Sequence, residues 1–94
     1  MIKHIVFWKF NSQNKEKIIS KVQDELDRLK NYIPQILHLE IGKNIFSGEF
    51  DLALFSEFKN ENDLEIYQNH PEHQKVKEFI STVCEKRACV DYSI

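Results

Sequence analysis

Hydrophobic and polar side chains alternate from Ile2 to Phe10, shift to a spacing of three and four, and exchange these two periods along the rest of the chain. Residues 2–10 sort into Ile2, His4, Val6, Trp8 and Phe10 on one side and Lys3, Ile5, Phe7 and Lys9 on the other, which predicts a strand. From residue 14 to residue 32, Ile18, Val22, Leu26, Leu29 and Ile33 follow a helical repeat, and Pro34 lies just past its last turn. Alternation returns over residues 36–44, with Leu37, Leu39 and Ile41 opposite Ile36, His38 and Glu40, before a loop bracketed by Gly42 and Gly48. A third strand is expected over residues 50–59, setting Phe50, Leu52, Leu54 and Phe58 against Asp51, Ala53, Phe55 and Glu57. Asn62 followed by Glu65 resembles a capping box, so a short helix should carry Leu64, Ile66 and Tyr67 and break at Pro71. A second helical piece then holds Val76, Phe79, Ile80 and Val83, with Lys86 and Arg87 at its C-terminal end. Residues 88–93 close the pattern as a strand, Ala88, Val90 and Tyr92 alternating with Cys89, Asp91 and Ser93.

The predicted order is β-α-β-β-α-β. This is an α+β, ferredoxin-like arrangement in one domain over residues 1–94: a four-stranded antiparallel sheet with its helices on one face. Helices on one face leave the other uncovered. If the His4 side meets the helices, Ile5, Phe7, Leu37, Leu39, Ile41, Ala53 and Phe55 are left on the open side, where water would normally select polar residues. An apolar face of that extent predicts a homodimer in which two sheets pack face to face.

Composition narrows the partners. Thirteen basic and fifteen acidic residues are interspersed, giving a net charge of −2, so no broad positive field exists to recruit nucleic acid. The apolar run at the N-terminus is broken by Lys3, His4 and Lys9 and reads as a strand rather than a leader. No stretch approaches the roughly 20 apolar residues of a membrane helix, and a cytoplasmic protein is expected. Cys84 and Cys89 match no metal or redox spacing and are expected to be reduced, buried thiols.

The chemistry concentrates in Tyr67-Gln68-Asn69-His70-Pro71-Glu72-His73. Pro71 suits the first position of a helix and His70 its N-cap, which places His73 in the first turn. The positive end of a helix disfavours imidazolium, so a neutral His73 could act as a base and Tyr67 as the matching donor. The residues alone leave open the alternatives of a surface or capping His73, a packing Tyr67 and a hydrogen-bonded core His4. His70 and His73 offer too few ligands for a closed zinc site, and no metal is expected. No glycine-rich phosphate loop or nucleophile elbow is present.

Lys3-His4 in the first strand, Ile33-Pro34 after the first helix, Tyr67-x-x-His70-Pro71-x-His73 and the closing Val90-Asp91-Tyr92 together resemble the stress-responsive dimeric α/β-barrel (Dabb) family across nearly the whole chain. The resemblance implies a small homodimer that uses no cofactor. A characterised plant relative, olivetolic acid cyclase, closes a linear polyketide by an intramolecular aldol step. By that likeness His73 is the base, Tyr67 the hydrogen-bond donor and His4 a pocket histidine. Leu52 stands where the cyclase has a further pocket histidine. The resemblance also implies an apolar pocket between the His4 face and the helices, walled by Val6, Trp8, Leu26, Leu54, Val76 and Phe79. The expected ligand is a small, mostly apolar carbonyl compound, and the expected activity that of a cofactor-free cyclase, isomerase or lyase. The alternatives are a binding or stress-response interaction protein without turnover, or a cofactor-free monooxygenase.

Overall fold

The computed structural model describes residues 1–11 and 13–94. Within them the elements run β1 (Ile2–Phe10), α1 (Lys15–Asp27), β2 (His38–Lys43), β3 (Leu52–Phe58), α2 (Glu61–Asn69), α3 (Pro71–Val83) and β4 (Cys84–Ser93), with a 3-10 turn at Arg28–Asn31 prolonging α1. The strands form one antiparallel sheet in the order β2-β3-β1-β4. This is the ferredoxin-like arrangement, with its second helical segment divided at Pro71. The division has a local cause: Pro71 restricts the preceding residue, and His70 accordingly adopts φ −65° and ψ 136°, outside the helical region. Its Nδ1 accepts the Glu72 amide at 3.1 Å, capping α3 as expected.

Register decides which side chains meet the helices. His4 lies opposite Ser56 and Asp91, Val6 opposite Leu54 and Cys89, and Trp8 opposite Leu52 and Arg87, so all of these share the covered face. Val6, Leu54 and Phe58 pack there against Val22, Leu26, Leu29 and Ile33 from the first helical segment and Leu64, Tyr67, Val76 and Ile80 from the second. Each buried aliphatic chain contributes about 1.5–3 kcal/mol relative to exposure, and this layer is the main source of stability.

The second strand differs from its expected orientation. Leu39 pairs with Ser56 and Ile41 with Leu54, so both turn toward the helices rather than onto the open face. Leu37 precedes the strand, is exposed, and donates its amide to the Glu57 carbonyl at 3.0 Å. His38 and Glu40 take the open side instead, 2.7 Å apart. Within β2 the alternation is clean, Leu39 and Ile41 opposite His38 and Glu40, and pairing with Ser56 and Leu54 of β3 turns the apolar pair inward. The apolar part of the open face therefore comprises Ile5, Phe7, Ala53 and Phe55 together with Val90 and Tyr92 from β4, beside the charged Lys3, Lys9 and Glu57, and Phe7, Val90 and Tyr92 are 40%, 58% and 43% exposed.

Other boundaries also differ from expectation. Phe50 lies before β3 and its ring sits 5.7 Å from that of Phe7, toward the open face rather than with Leu52. Asp51 points back to accept the Phe10 amide at 2.9 Å, so alternation is broken at the strand entrance. The cap of α2 is Asn60, whose side chain accepts the Asp63 amide at 2.8 Å; Asn60 and Asn62 each have an acidic residue three positions on, and burial of Leu64 and Tyr67 selects the earlier start. Ile66 is exposed. The last helix ends at Val83, and Lys86 and Arg87 belong to β4, whose pairing begins at Phe10 with Cys84. The cysteines are free, but Cys84 is half-buried and Cys89 exposed rather than both sealed, because edge strand β4 covers neither. Among the described residues no helix is long and apolar enough to cross a membrane.

Candidate functional site

A cavity of about 460 Å³ lies on the covered face of the sheet. Its lining includes His4, Val6 and Trp8 from β1, Leu54 from β3, Leu26 from α1, Tyr67 from α2 and His73 and Val76 from α3. Phe79, expected as a further wall, is absent from that lining. On α3 the cavity side is set by His73, Val76 and Ile80, and Phe79 stands off this line, with the Lys21 ammonium 4.3 Å from its ring. Leu52 is sealed in the core and is not part of the cavity lining.

His4, Tyr67 and His73 form a row of rings. Tyr67 is centred 6.0 Å from His4 and 4.5 Å from His73, and Phe58 backs it at 5.0 Å. The row forms because β1 presents His4 inward and the α2–α3 break at Pro71 brings the end of one helix and the start of the next over the same part of the sheet. His73 Nδ1 lies 3.1 Å from the Gln68 carbonyl oxygen. A carbonyl can only accept, so Nδ1 carries the hydrogen and Nε2 keeps the lone pair. Burial lowers the His73 pKa from 6.5 to about 4, against the opposing effect of the Gln68 bond. The imidazole is thus neutral near pH 7, as expected, but burial rather than the helix dipole is the principal cause. Burial likewise pushes the Tyr67 phenol far above its usual range and keeps it a neutral donor. Tyr67 Oη makes no hydrogen bond among the described residues, where no fully enclosed polar side-chain atom lacks a partner, so this hydroxyl opens on the cavity.

His4 is buried, and its Nδ1 bonds the Asp91 carboxylate. Asp91, whose side chain is still 40% exposed, thereby tethers β4 to the cavity floor. Cys89 Sγ lies 3.9 Å from His4 Nδ1, and His4, Cys89 and Asp91 hold donor atoms within 4.8 Å of one another. Three donors are one fewer than a closed zinc site requires, and the His4–Asp91 bond already occupies two of them.

Sequence reasoning missed the polar rim. Gln68, Lys77 and Arg87 also line the cavity. Arg87 was detectable: continuing the β4 alternation one step upstream puts it in line with Cys89 and Asp91, on the His4 side. Reading Lys86-Arg87 as a helix terminus hid that register.

The chain matches the stress responsive A/B barrel domain over residues 2–94. It is 28% identical over 96 residues to a stress-response A/B barrel domain-containing protein of Arabidopsis thaliana, covering 98% of this chain but only 36% of that relative's length. A dimeric protein of unknown function and ferredoxin-like fold from Bacteroides fragilis superposes with TM-score 0.89 at 34% identity, covering 99% of this chain and 95% of the other. The hydroxynitrile lyase of Passiflora edulis shares the fold with TM-score 0.88 at 23% identity, over 99% and 92% of the two chains. The strand-helix register, the Tyr67–His73 segment and the match over nearly every residue place this chain in the stress responsive A/B barrel domain family.

Proposed function

We infer that the chain is a homodimer holding a small, mostly apolar carbonyl compound in the cavity, and that it moves a proton beside that carbonyl without a cofactor. The observation that carries this reading is His73: a neutral imidazole with Nδ1 fixed on the Gln68 carbonyl and a lone pair on Nε2, 4.5 Å from the Tyr67 ring between centroids. In the proposed step, His73 Nε2 takes a proton from the carbon next to the carbonyl, and the C–H electrons move to the carbonyl oxygen as an enolate. The Tyr67 hydroxyl donates to that oxygen in an apolar setting, where such a bond is stronger than in water. Return of the proton from His73 to another carbon makes an isomerase; attack of the enolate carbon on a second carbonyl of the same molecule, with the His73 proton passing to the alkoxide so formed, makes a cyclase. A base with a pKa near 4 favours C–H groups that two neighbouring unsaturated groups already acidify. The Passiflora edulis neighbour, a lyase on this fold, supports the same general class.

The dimer reading rests on the open sheet face and on the dimeric description of the Bacteroides fragilis neighbour. Incubation in D₂O with arylalkyl ketones and β-diketones tests the catalytic step: deuterium should enter beside the carbonyl faster than in buffer, and His73→Ala should abolish the excess. Binding without excess exchange would leave a carrier and sink the enzyme.

A further inference from the structure

The cavity lining contains two cationic side chains, Lys77 and Arg87, and no carboxylate. Neither makes an ion pair among the described residues, and Lys17, Lys21 and Lys59 make none either; what sets Lys77 and Arg87 apart is that these two exposed side chains line the cavity. Asp91, on the same side of β4 as Arg87, is engaged by His4. Arg87 reaches this side because it pairs with Trp8 across the β1–β4 ladder, in line with Cys89 and Asp91. Lys77 follows His73 by four residues on α3, one turn along the same face. Two cations without a protein counter-ion therefore stand at the rim of a cavity whose floor is apolar.

Resting on the reading of the cavity as a carbonyl-compound site, we propose that its ligand is an oxo acid, with the carbonyl at Tyr67 and His73 and the carboxylate at Lys77 and Arg87. Residues four apart on a helix are separated by roughly 6 Å, which a ligand spans with two to four carbons between its carbonyl and its carboxylate. The planar guanidinium fork matches a carboxylate in two parallel bonds, and the lysine adds a movable second charge. The same fork also fits a phosphate, and comparison of octyl phosphate with octanoate separates the two anions. The positive field of Arg87 also reaches Tyr67 and His73, so the anionic end is anchored within electrostatic range of the reacting end.

Trp8 is the single tryptophan and lines the cavity, so its fluorescence reports binding directly. Benzoylpropionate and benzoylbutyrate should quench it with dissociation constants at least about tenfold below those of their methyl esters, as expected for a charge-assisted contact. Arg87→Gln should erase that advantage and leave ester affinity within about twofold, while Arg87→Lys keeps part of it. Equal binding of acid and ester would overturn the oxo-acid assignment and leave the carbonyl-compound cavity standing. An advantage that survives Arg87→Gln combined with Lys77→Gln would overturn the roles of these residues. Octyl phosphate binding more tightly than octanoate would overturn the carboxylate class. Failure of every acid and ester to bind would overturn the cavity reading itself, and this proposal with it.

Discussion

Tyr67 and His73 stand with ring centroids 4.5 Å apart, and the nitrogen of His73 on the Gln68 side is 3.1 Å from that carbonyl oxygen. The pair is held by the turn between α2 and α3, so the ring that faces the phenol is also the one buried as a neutral imidazole.

That burial makes folding sensitive to acid. The folded-state pKa of His73, about 4, lies below its ordinary 6.5, so the unfolded chain takes up this proton first as pH falls. The stability is fully present above about pH 6.5, declines between 6.5 and 4, and falls no further on this account below that. His73→Asn keeps an N–H for the Gln68 carbonyl but cannot titrate. Urea unfolding across this window should show a shallower loss for the variant than for the wild type; parallel curves would refute the burial effect.

The His4–Asp91 bond predicts a second stability effect. His4 is only 3% exposed, and Asp91 supplies the partner of its Nδ1. Asp91→Ala should cost about 1–2 kcal/mol, reduced from the cost of a fully enclosed orphan because the edge strand lets water approach. Asp91→Asn, which keeps an acceptor oxygen, should cost less. Chemical denaturation resolves the difference, and an alanine variant as stable as the wild type would show that water replaces the carboxylate without loss.

The open sheet face gives a prediction about assembly. Phe7 and Val90 lie on adjacent strands with their side chains on the same uncovered side. Placing a charge there puts an unpaired ion into a sheet-to-sheet interface, where desolvation is costly. Phe7→Asp and Val90→Asp should convert a dimer to a monomer at micromolar concentration while leaving the far-ultraviolet dichroism intact. Sedimentation velocity measures this, and a monomeric wild type would refute the interface.

Legibility in the sequence followed the strength of local constraint. The two sides of β1 could be separated, His4, Val6 and Trp8 against Lys3, Ile5, Phe7 and Lys9, though not which of them faces the helices, and the α2–α3 break could be read because Pro71 permits few alternatives. Grouping His4 with Tyr67 and His73 came from the family resemblance. The orientation of β2 was misassigned although Leu39 and Ile41 alternate there with His38 and Glu40, because the apolar set was carried to the open face with Ile5 and Phe7; pairing with Ser56 and Leu54 turns it inward. Arg87 was misplaced because where α3 yields to β4 depends on pairing with Phe10 across the sheet, and Phe79 because the cavity side of α3 runs through His73, Val76 and Ile80.

The Tyr67 hydroxyl can be separated from its ring. The ring is packed between Phe58 and His73, with centroids at 5.0 and 4.5 Å, and Tyr67 as a whole is 1% exposed. Truncation to alanine opens a large cavity and should cost about 3–5 kcal/mol, so an inactive alanine variant would say nothing about chemistry. Tyr67→Phe keeps the ring and removes only an oxygen that has no protein partner among the described residues, so its unfolding midpoint should stay close to that of the wild type. If the hydroxyl supports a developing enolate, exchange beside the carbonyl should nevertheless fall by about 10²–10³ in rate, the loss expected for one preorganised donor. The discriminating result is the combination: unchanged stability with slowed exchange assigns the hydroxyl to the reaction, whereas unchanged stability with unchanged exchange leaves Tyr67 as packing and removes it from the site.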